Sequence, residues 1–263
     1  MMREPIIHVA IQAARSAGNI ISRAAARLDK ITVTEKMPND FVTDIDERAE
    51  REIISIIHKA YPSHGILGEE SGATSGDDFQ WIIDPLDGTR NFIHGFPHFA
   101  VSIGVTFKGK IEYGVIYDPM RQELFTAKRG GGAQLNERRI RVGTKKILSE
   151  SLLGTGFAGR HQGPDNAIEC TAVFQKMLPL CGDIRRAGAA ALDLAYVAAG
   201  RLDGFWEYGL KMWDIAAGIL LVKEAGGMIC DPSGGESYWQ TGDIVAANPA
   251  ILKLLLRAIK PST

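Results

Sequence analysis

The stretch from Phe79 to Phe92, FQWIIDPLDGTRNF, constrains this chain more than any other. Phe79, Trp81, Ile82 and Ile83 predict a strand buried on both faces. That strand runs into two carboxylates three residues apart, Asp84 and Asp87. Pro85 stiffens the link between them, because its ring fixes φ and removes a backbone donor. Gly88 and Thr89 read as the opening of a helix, where backbone N–H groups lack internal partners and the dipole is positive. Carboxylates attract hard cations and a helix start attracts an anion. A strand delivering both to one point suits a metal-assisted reaction on a phosphate. The bland alternative is an Asp-Pro turn with no chemistry.

The surrounding chain supplies layers for such a strand to sit in. Residues 5–28 read as a helix, with Ile6, Ile7, Ala10, Ala13, Ala14, Ala17 and Ile21 at helical spacing. Residues 34–40 read as a loop. Thr43 then opens a second helix, with Asp46 placed to complete a capping box. Its apolar face is predicted as Ala49, Ile53, Ile56, Ile57 and Ala60. A short strand at 66–68 ends in Glu69-Glu70, before a polar loop reaching Asp78. After the opening stretch, residues 99–107, 111–117 and 123–127 read as antiparallel strands, with turn signals at Lys108-Gly109 and Asp118-Pro119. A glycine bend at 130–132 leads to a short basic strand at 138–142.

The second half alternates more regularly. Strands are predicted at 151–155, 183–186, 202–207, 228–230 and 244–247. Helices are predicted at 167–180, 189–199, 215–225 and 249–259. Gly200 and Gly226-Gly227 act as stops, and Pro249 starts the last helix. No linker, repeat or low-complexity tract interrupts this. The expectation is an α+β chain in layers, one domain over residues 1–263 with two packed halves, roughly 1–145 and 146–263.

Composition removes several classes of function. Thirty Lys and Arg balance 31 Asp and Glu, so no global field draws the chain to nucleic acid or membrane. The segment Arg138-Arg139-Ile140-Arg141 is a local exception, read as a solvated strand edge rather than a partner contact. Cys170, Cys181 and Cys230 are widely spaced and form no C-x-x-C pair, which leaves neither a zinc site nor a disulfide framework. They read as reduced thiols of a cytoplasmic protein. Arg3, Glu4, His8, Gln12 and Arg15 interrupt the N-terminal residues, so no signal peptide is expected, and no apolar run is long enough to span a membrane. Walker A, G-x-S-x-G and strand-to-helix G-x-G-x-x-G patterns are absent. His94 and His98 lie four apart near the stretch and read as loop packing, not as ligands.

The candidate acids are then Asp46, Glu69, Asp84, Asp87 and Asp214. Glu69 and Asp84 are expected after strands, and Asp87 and Asp214 just before helices. Singly, Asp46 and Asp214 are as readily helix caps. Oxygen donors without clustered His or Cys favour Mg2+ or Mn2+.

Three segments carry a resemblance. Gly68-Glu69-Glu70-Ser71, Trp81-Ile82-Ile83-Asp84-Pro85-Leu86-Asp87-Gly88-Thr89 and Trp213-Asp214-Ile215-Ala216-Ala217-Gly218 resemble the signatures of the inositol monophosphatase family. They stand in the same order and at matching separations, and the resemblance covers essentially the whole chain. Residues 185–196 resemble the family's bacterial branch.

The resemblance implies an α-β-α-β-α sandwich, a homodimer, and a Mg2+-dependent, Li+-sensitive phosphomonoesterase with two or three metals per site. Glu69, Asp84, the Leu86 carbonyl, Asp87 and Asp214 would ligate metal. Gly88 and Thr89 would bind phosphate through backbone N–H groups, and Thr89 and Asp46 would position the attacking water. Glu207, Arg185 and the turn Gly188-Ala189-Ala190 would face the alcohol of a small phosphorylated polyol. Arg90 and Gly95 depart from the usual pattern, and residues 36–40 match a family loop only loosely. Within the superfamily the substrate alternatives are a sugar bisphosphate and a 3′-phosphoadenylate. The carboxylate of Glu207 suits a ring hydroxyl better than a second phosphate. The bacterial branch also implies a transcription antitermination role through a transcription-machinery partner.

Overall fold

The computed structural model describes residues 5–37, 40–157 and 164–259. Helix α1 (Ile6–Ala25) buries Ala10, Ala13, Ala14, Ala17 and Ile21 of the predicted stripe, together with Val9, while Ile6 and Ile7 are only partly buried. The small alanines let it lie against α2 (Asp44–Ala60), whose buried stripe is Ile45, Ala49, Ile53 and Ile57. Residues 34–37 and 40 are not the expected loop: they lie in the paired strands of a hairpin, β1 (Val33–Met37) and β2 (Asp40–Thr43), which run antiparallel. Val33, Thr34, Phe41 and Val42 favour extended backbone and outweigh the loop signal. Pro38 and Asn39 lie outside the described residues.

The larger sheet holds β3 (Gly65–Gly68), β4 (Gly72–Thr74), β5 (Phe79–Asp87), β6 (Ala100–Phe107), β7 (Lys110–Asp118), β8 (Glu123–Lys128), β9 (Gly132–Leu135) and β10 (Arg138–Arg139). Their order is β10-β9-β8-β7-β6-β5-β3-β4, and only the β3–β5 pair is parallel. Strand β4 occupies part of the expected polar loop, because Gly72 at φ 73° turns the chain straight back onto β3. Strand β9 begins inside the expected glycine bend. The basic segment contributes only the exposed edge pair Arg138 and Arg139; Val142 leaves to bond the Ala225 carbonyl.

The smaller sheet holds β11 (Leu152–Thr155), β12 (Asp183–Arg185), β13 (Gly204–Glu207), β14 (Met228–Cys230) and β15 (Ile244–Ala247), in the order β12-β11-β13-β15-β14. The remaining helices are α3 (Thr89–Ile93), α4 (Pro164–Met177), α5 (Ala190–Ala198), α6 (Met212–Glu224), α7 (Tyr238–Thr241) and α8 (Pro249–Ile259). Helix α7 is a single turn with no counterpart in the sequence reading.

These elements stack as an α-β-α-β-α sandwich with a core at each level. Helices α1 and α2 cover the outer face of the larger sheet over Trp81, Ile83, Val101, Val115 and Tyr117. Helices α5 and α6 fill the middle, against Ile116 and Phe125 on one side and Phe205 and Ala246 on the other. Helices α4 and α8 close the far face over Leu153, Trp206 and Val245. The period-2 alternation of strands produces this division: Val115 and Tyr117 serve one core and Ile116 the next, as Phe205 and Trp206 do on β13. Each such fully buried large side chain contributes roughly 1.5–3 kcal/mol.

Two glycines bring α6 down onto the larger sheet. A Cβ at Gly104 would lie 2.8 Å from the Ala216 Cβ, and one at Gly114 would lie 2.8 Å from the Ala217 carbonyl oxygen. The Ser102 hydroxyl, on the same sheet, donates to the Trp213 carbonyl at 3.1 Å. The first turn of α6, which carries Asp214, is thereby seated beside β5 and β6.

Candidate metal centre

Asp84 lies within β5, not after it as expected, while Asp87 ends β5 directly before the Gly88 cap of α3, at the helix start expected for it. Against β6, Asp84 pairs with Ser102 and Asp87 with Ala100, so β5 carries one extra residue between them. That is a bulge, and it has a chemical consequence. In a regular strand, residues three apart face opposite sides of the sheet. The extra residue cancels this alternation and turns both carboxylates to one side. Pro85 fits there because it has no N–H to lose from the ladder, and the Asp84 Oδ1 accepts the Leu86 N–H at 2.9 Å. Asp214 sits inside the first turn of α6 rather than before it, where its Oδ2 accepts the Lys211 N–H at 2.6 Å.

The fold brings these three acids together. Carboxylate oxygens of Asp84, Asp87 and Asp214 all lie within 4.8 Å of one another. Glu69 joins them: its N–H donates to the Ile83 carbonyl at 3.1 Å, and its side chain is hydrogen-bonded to Asp84. Burial pushes Asp84 well above the usual carboxylate range, and the charges of Glu69, Asp87 and Asp214 push it further. Asp87 is raised well by burial and by Asp214, while the Ala191 N–H, at 2.8 Å from its Oδ2, pulls the other way. Among the described residues, neither Asp84 nor Asp87 is paired with a cationic side chain. Crowded, buried carboxylates of this kind fit a hard divalent cation, which would supply the missing charge.

Asp46 lies at the edge of this cluster and does two things at once. Its Oδ2 accepts the Thr43 N–H at 2.9 Å and the Thr43 hydroxyl, while Thr43 caps Ile45. The expected capping box is therefore present. Its Oδ1 accepts the Thr89 hydroxyl at 2.9 Å, and that hydroxyl also lies 3.0 Å from the Leu86 carbonyl. Burial raises the Asp46 carboxyl, against the hydrogen bonds from Thr43 and Thr89. Gly88, at φ 92°, joins β5 to α3. A Cβ there would lie 3.0 Å from the His98 carbonyl oxygen and 3.3 Å from the Ala189 Cβ, so only glycine suits the position.

The second half of the chain closes the other side. Asn91, which the sequence reading gave no role, donates from Nδ2 to the carbonyls of His98 at 2.7 Å and Ala187 at 2.9 Å. This ties α3 to the turn of Gly188 and Ala189. Glu207 ends β13, with its carboxylate over Gly156 where a Cβ would be 2.0 Å away. Buried Asp193, also without a predicted role, is raised by burial and then by Glu207 and Asp87. Arg185 is turned elsewhere: exposed on edge strand β12, its guanidinium bonds Asp183 and the Ile184 carbonyl. Arg90 stacks over Phe41 at 5.3 Å, linking α3 to the β1–β2 hairpin. His98 is buried with Nε2 unpartnered among the described residues, and burial with Arg121 lowers it to about 4. Within the loop it packs against Tyr196, in keeping with the packing role expected.

Known proteins resemble this chain in sequence and in fold. A profile described as the inositol monophosphatase family matches residues 2–263. The protein named Nus factor SuhB in Pseudomonas aeruginosa is 52% identical over 262 residues, covering 98% of this chain and 97% of that one. The crystal structure of extragenic suppressor protein suhB from Bartonella henselae superposes with a TM-score of 0.94 at 44% identity, over 98% of this chain and 99% of that one. The inositol monophosphatase structure from Anabaena (Nostoc) sp. PCC 7120 gives 0.84 at 40% identity, over 96% and 94%.

Proposed function

The chain belongs to the inositol monophosphatase family, and on that premise we propose that it is a Mg2+-dependent phosphomonoesterase hydrolysing inositol monophosphate to inositol and phosphate. The observation that carries this is the meeting of Asp84, Asp87 and Asp214, from opposite halves of the chain, within 4.8 Å. Glu69, the Leu86 carbonyl and these three aspartates would hold the metal, Mg2+ or Mn2+. Held there, such a cation would supply charge to offset the phosphate and would make water more acidic at the site.

The chain's own groups do the rest. Gly88 and Thr89 offer backbone N–H groups to the phosphate oxygens. The Thr89 hydroxyl has one proton. When it donates a hydrogen bond to Asp46, its lone pairs are left to accept a hydrogen bond from the attacking water, which orients the water's oxygen for in-line attack. Glu207 and the Gly188-Ala189 turn face the alcohol, and Arg185 would reach it only by leaving Asp183. No side chain serves as a nucleophile, so the reaction inverts at phosphorus and forms no phosphoenzyme. We further propose that the enzyme is a Li+-sensitive, cytoplasmic homodimer whose chain forms one domain.

Hydrolysis of inositol monophosphate, fructose 1,6-bisphosphate and a 3′-phosphoadenylate, assayed side by side with Mg2+ and with chelator, tests the proposal. Preference for either bisphosphate overturns the substrate, and hydrolysis indifferent to chelator overturns the mechanism. The name Nus factor, carried by a relative at 52% identity, supports a second role in transcription antitermination through a transcription-machinery partner. Asp87→Asn separates the two. It removes a metal ligand but leaves the surface intact, so partner binding should survive where hydrolysis does not.

A further inference from the structure

Helix α2 carries two buried carboxylates one turn apart, Asp46 and Glu50, on a face otherwise filled by Ile45, Ala49, Ile53 and Ile57. Residues four apart on a helix point the same way. Asp46 holds Thr89. Glu50 has no part in the reaction proposed above, yet it is only 2% exposed. Its Oε1 accepts the Ser71 N–H at 2.7 Å and its Oε2 accepts the Glu70 N–H at 3.0 Å. These are the two N–H groups that follow Glu69. The residue before it, Gly68, leaves room for the same carboxylate: a Cβ there would lie 2.5 Å from the Glu50 Oε2. The turn 68–71 therefore wraps around the end of Glu50. Glu69 is held from two directions, by its own N–H on the Ile83 carbonyl at 3.1 Å and by the next two N–H groups on Glu50.

We propose that Glu50 is a positioning residue of the metal centre: through the Glu70 and Ser71 N–H groups it sets the carboxylate of Glu69 against Asp84. Helix α2 is then the gauge of the site. One turn of it fixes both Thr89, through Asp46, and Glu69, through Glu50, so the water-positioning hydroxyl and the metal ligand keep a constant separation. The inference rests on the metal-dependent reading given above.

Glu50→Gln tests it in the full-length chain. Glutamine keeps the shape but replaces one acceptor oxygen with an NH2 donor, so either Glu70 or Ser71 loses its acceptor. Mn2+ binding by calorimetry should weaken about 10–100-fold, the usual cost of losing a group that orients a ligand. Amide hydrogen exchange at Glu70 and Ser71 should quicken. The Mg2+ concentration for half-maximal hydrolysis should rise, while kcat at saturating Mg2+ stays near wild type. Glu47→Gln, exposed on the same helix, should change none of these. Mn2+ affinity within twofold of wild type in E50Q overturns the inference, as does unchanged exchange at residues 70 and 71. Wild-type protein that binds no Mn2+ overturns the metal reading itself, a result that needs no Glu50 variant to recognise. If E50Q does not fold, Gly68→Ala presses on the same carboxylate and should weaken Mn2+ binding in the same direction; unaltered affinity there counts equally against the proposal.

Discussion

Asp46 divides its two oxygens between a helix cap and the hydroxyl of Thr89. The sequence pattern of Thr43 and Asp46 shows the cap, because a capping box depends only on neighbours three residues apart. It cannot show the second bond, whose partner is 43 residues away. The two roles are separable. Thr89→Ala keeps the cap, so the melting temperature should stay within a few degrees of wild type, while kcat should fall about 10²-fold or more, the scale of a group that holds water for proton transfer. A kcat within a few-fold of wild type would remove Thr89 from the reaction. Asp87→Asn should cost more than about 100-fold in kcat/KM, since even groups behind a metal ligand cost 10–100-fold. Retained activity would break the ligand assignment.

At the scale of elements, β5 and α6 decide the site. Apolar periodicity locates both, but neither the bulge between Asp84 and Asp87 nor the descent of α6 onto Gly104 and Gly114 has a local signature. Both arise from partners: the bulge from pairing with β6, the close approach from packing across the sheet. For the same reason β4, β9 and the β1–β2 hairpin escape a reading based on polarity, because glycine-rich and charged segments become strands once a neighbour supplies hydrogen bonds. Gly114→Ala tests the descent. The added Cβ, 2.8 Å from the Ala217 oxygen, should destabilise the fold by about 1–3 kcal/mol, as overpacking does. By lifting the first turn of α6 it should also weaken Mn2+ binding at Asp214. Normal stability and affinity together would show that α6 adjusts without moving the site.

For the whole molecule, the acid cluster is a cost that the layered core supports. Burial keeps Asp84 and Asp87 protonated to higher pH than in the unfolded chain, so each favours the metal-free fold below about pH 3.8. That contribution is lost as pH rises towards the raised folded values. His98 has the opposite sign: lowered to about 4 from 6.5, it adds stability as pH rises through that window. Comparing variants cancels His98. The melting temperature of metal-free Asp84→Asn, minus that of wild type, should become more positive as pH rises above about 3.8, and a constant difference would refute this electrostatic account. Mg2+ at a hundred times its Kd should add about 2.7 kcal/mol to wild type. What the sequence by itself determined was the local layer of this protein: amphipathic helices, buried strands, the capping box, and an Asp-Pro-Leu-Asp-Gly-Thr run whose residue types favour metal and phosphate. These follow from periodicity and from chemistry within a few residues. Only the tertiary structure decided that Glu69, Asp84, Asp87 and Asp214 meet, that Glu50 stands behind them, and that Arg185 turns to Asp183. Such convergence depends on strand register and on helix packing across a sheet, which no short stretch of chain encodes alone.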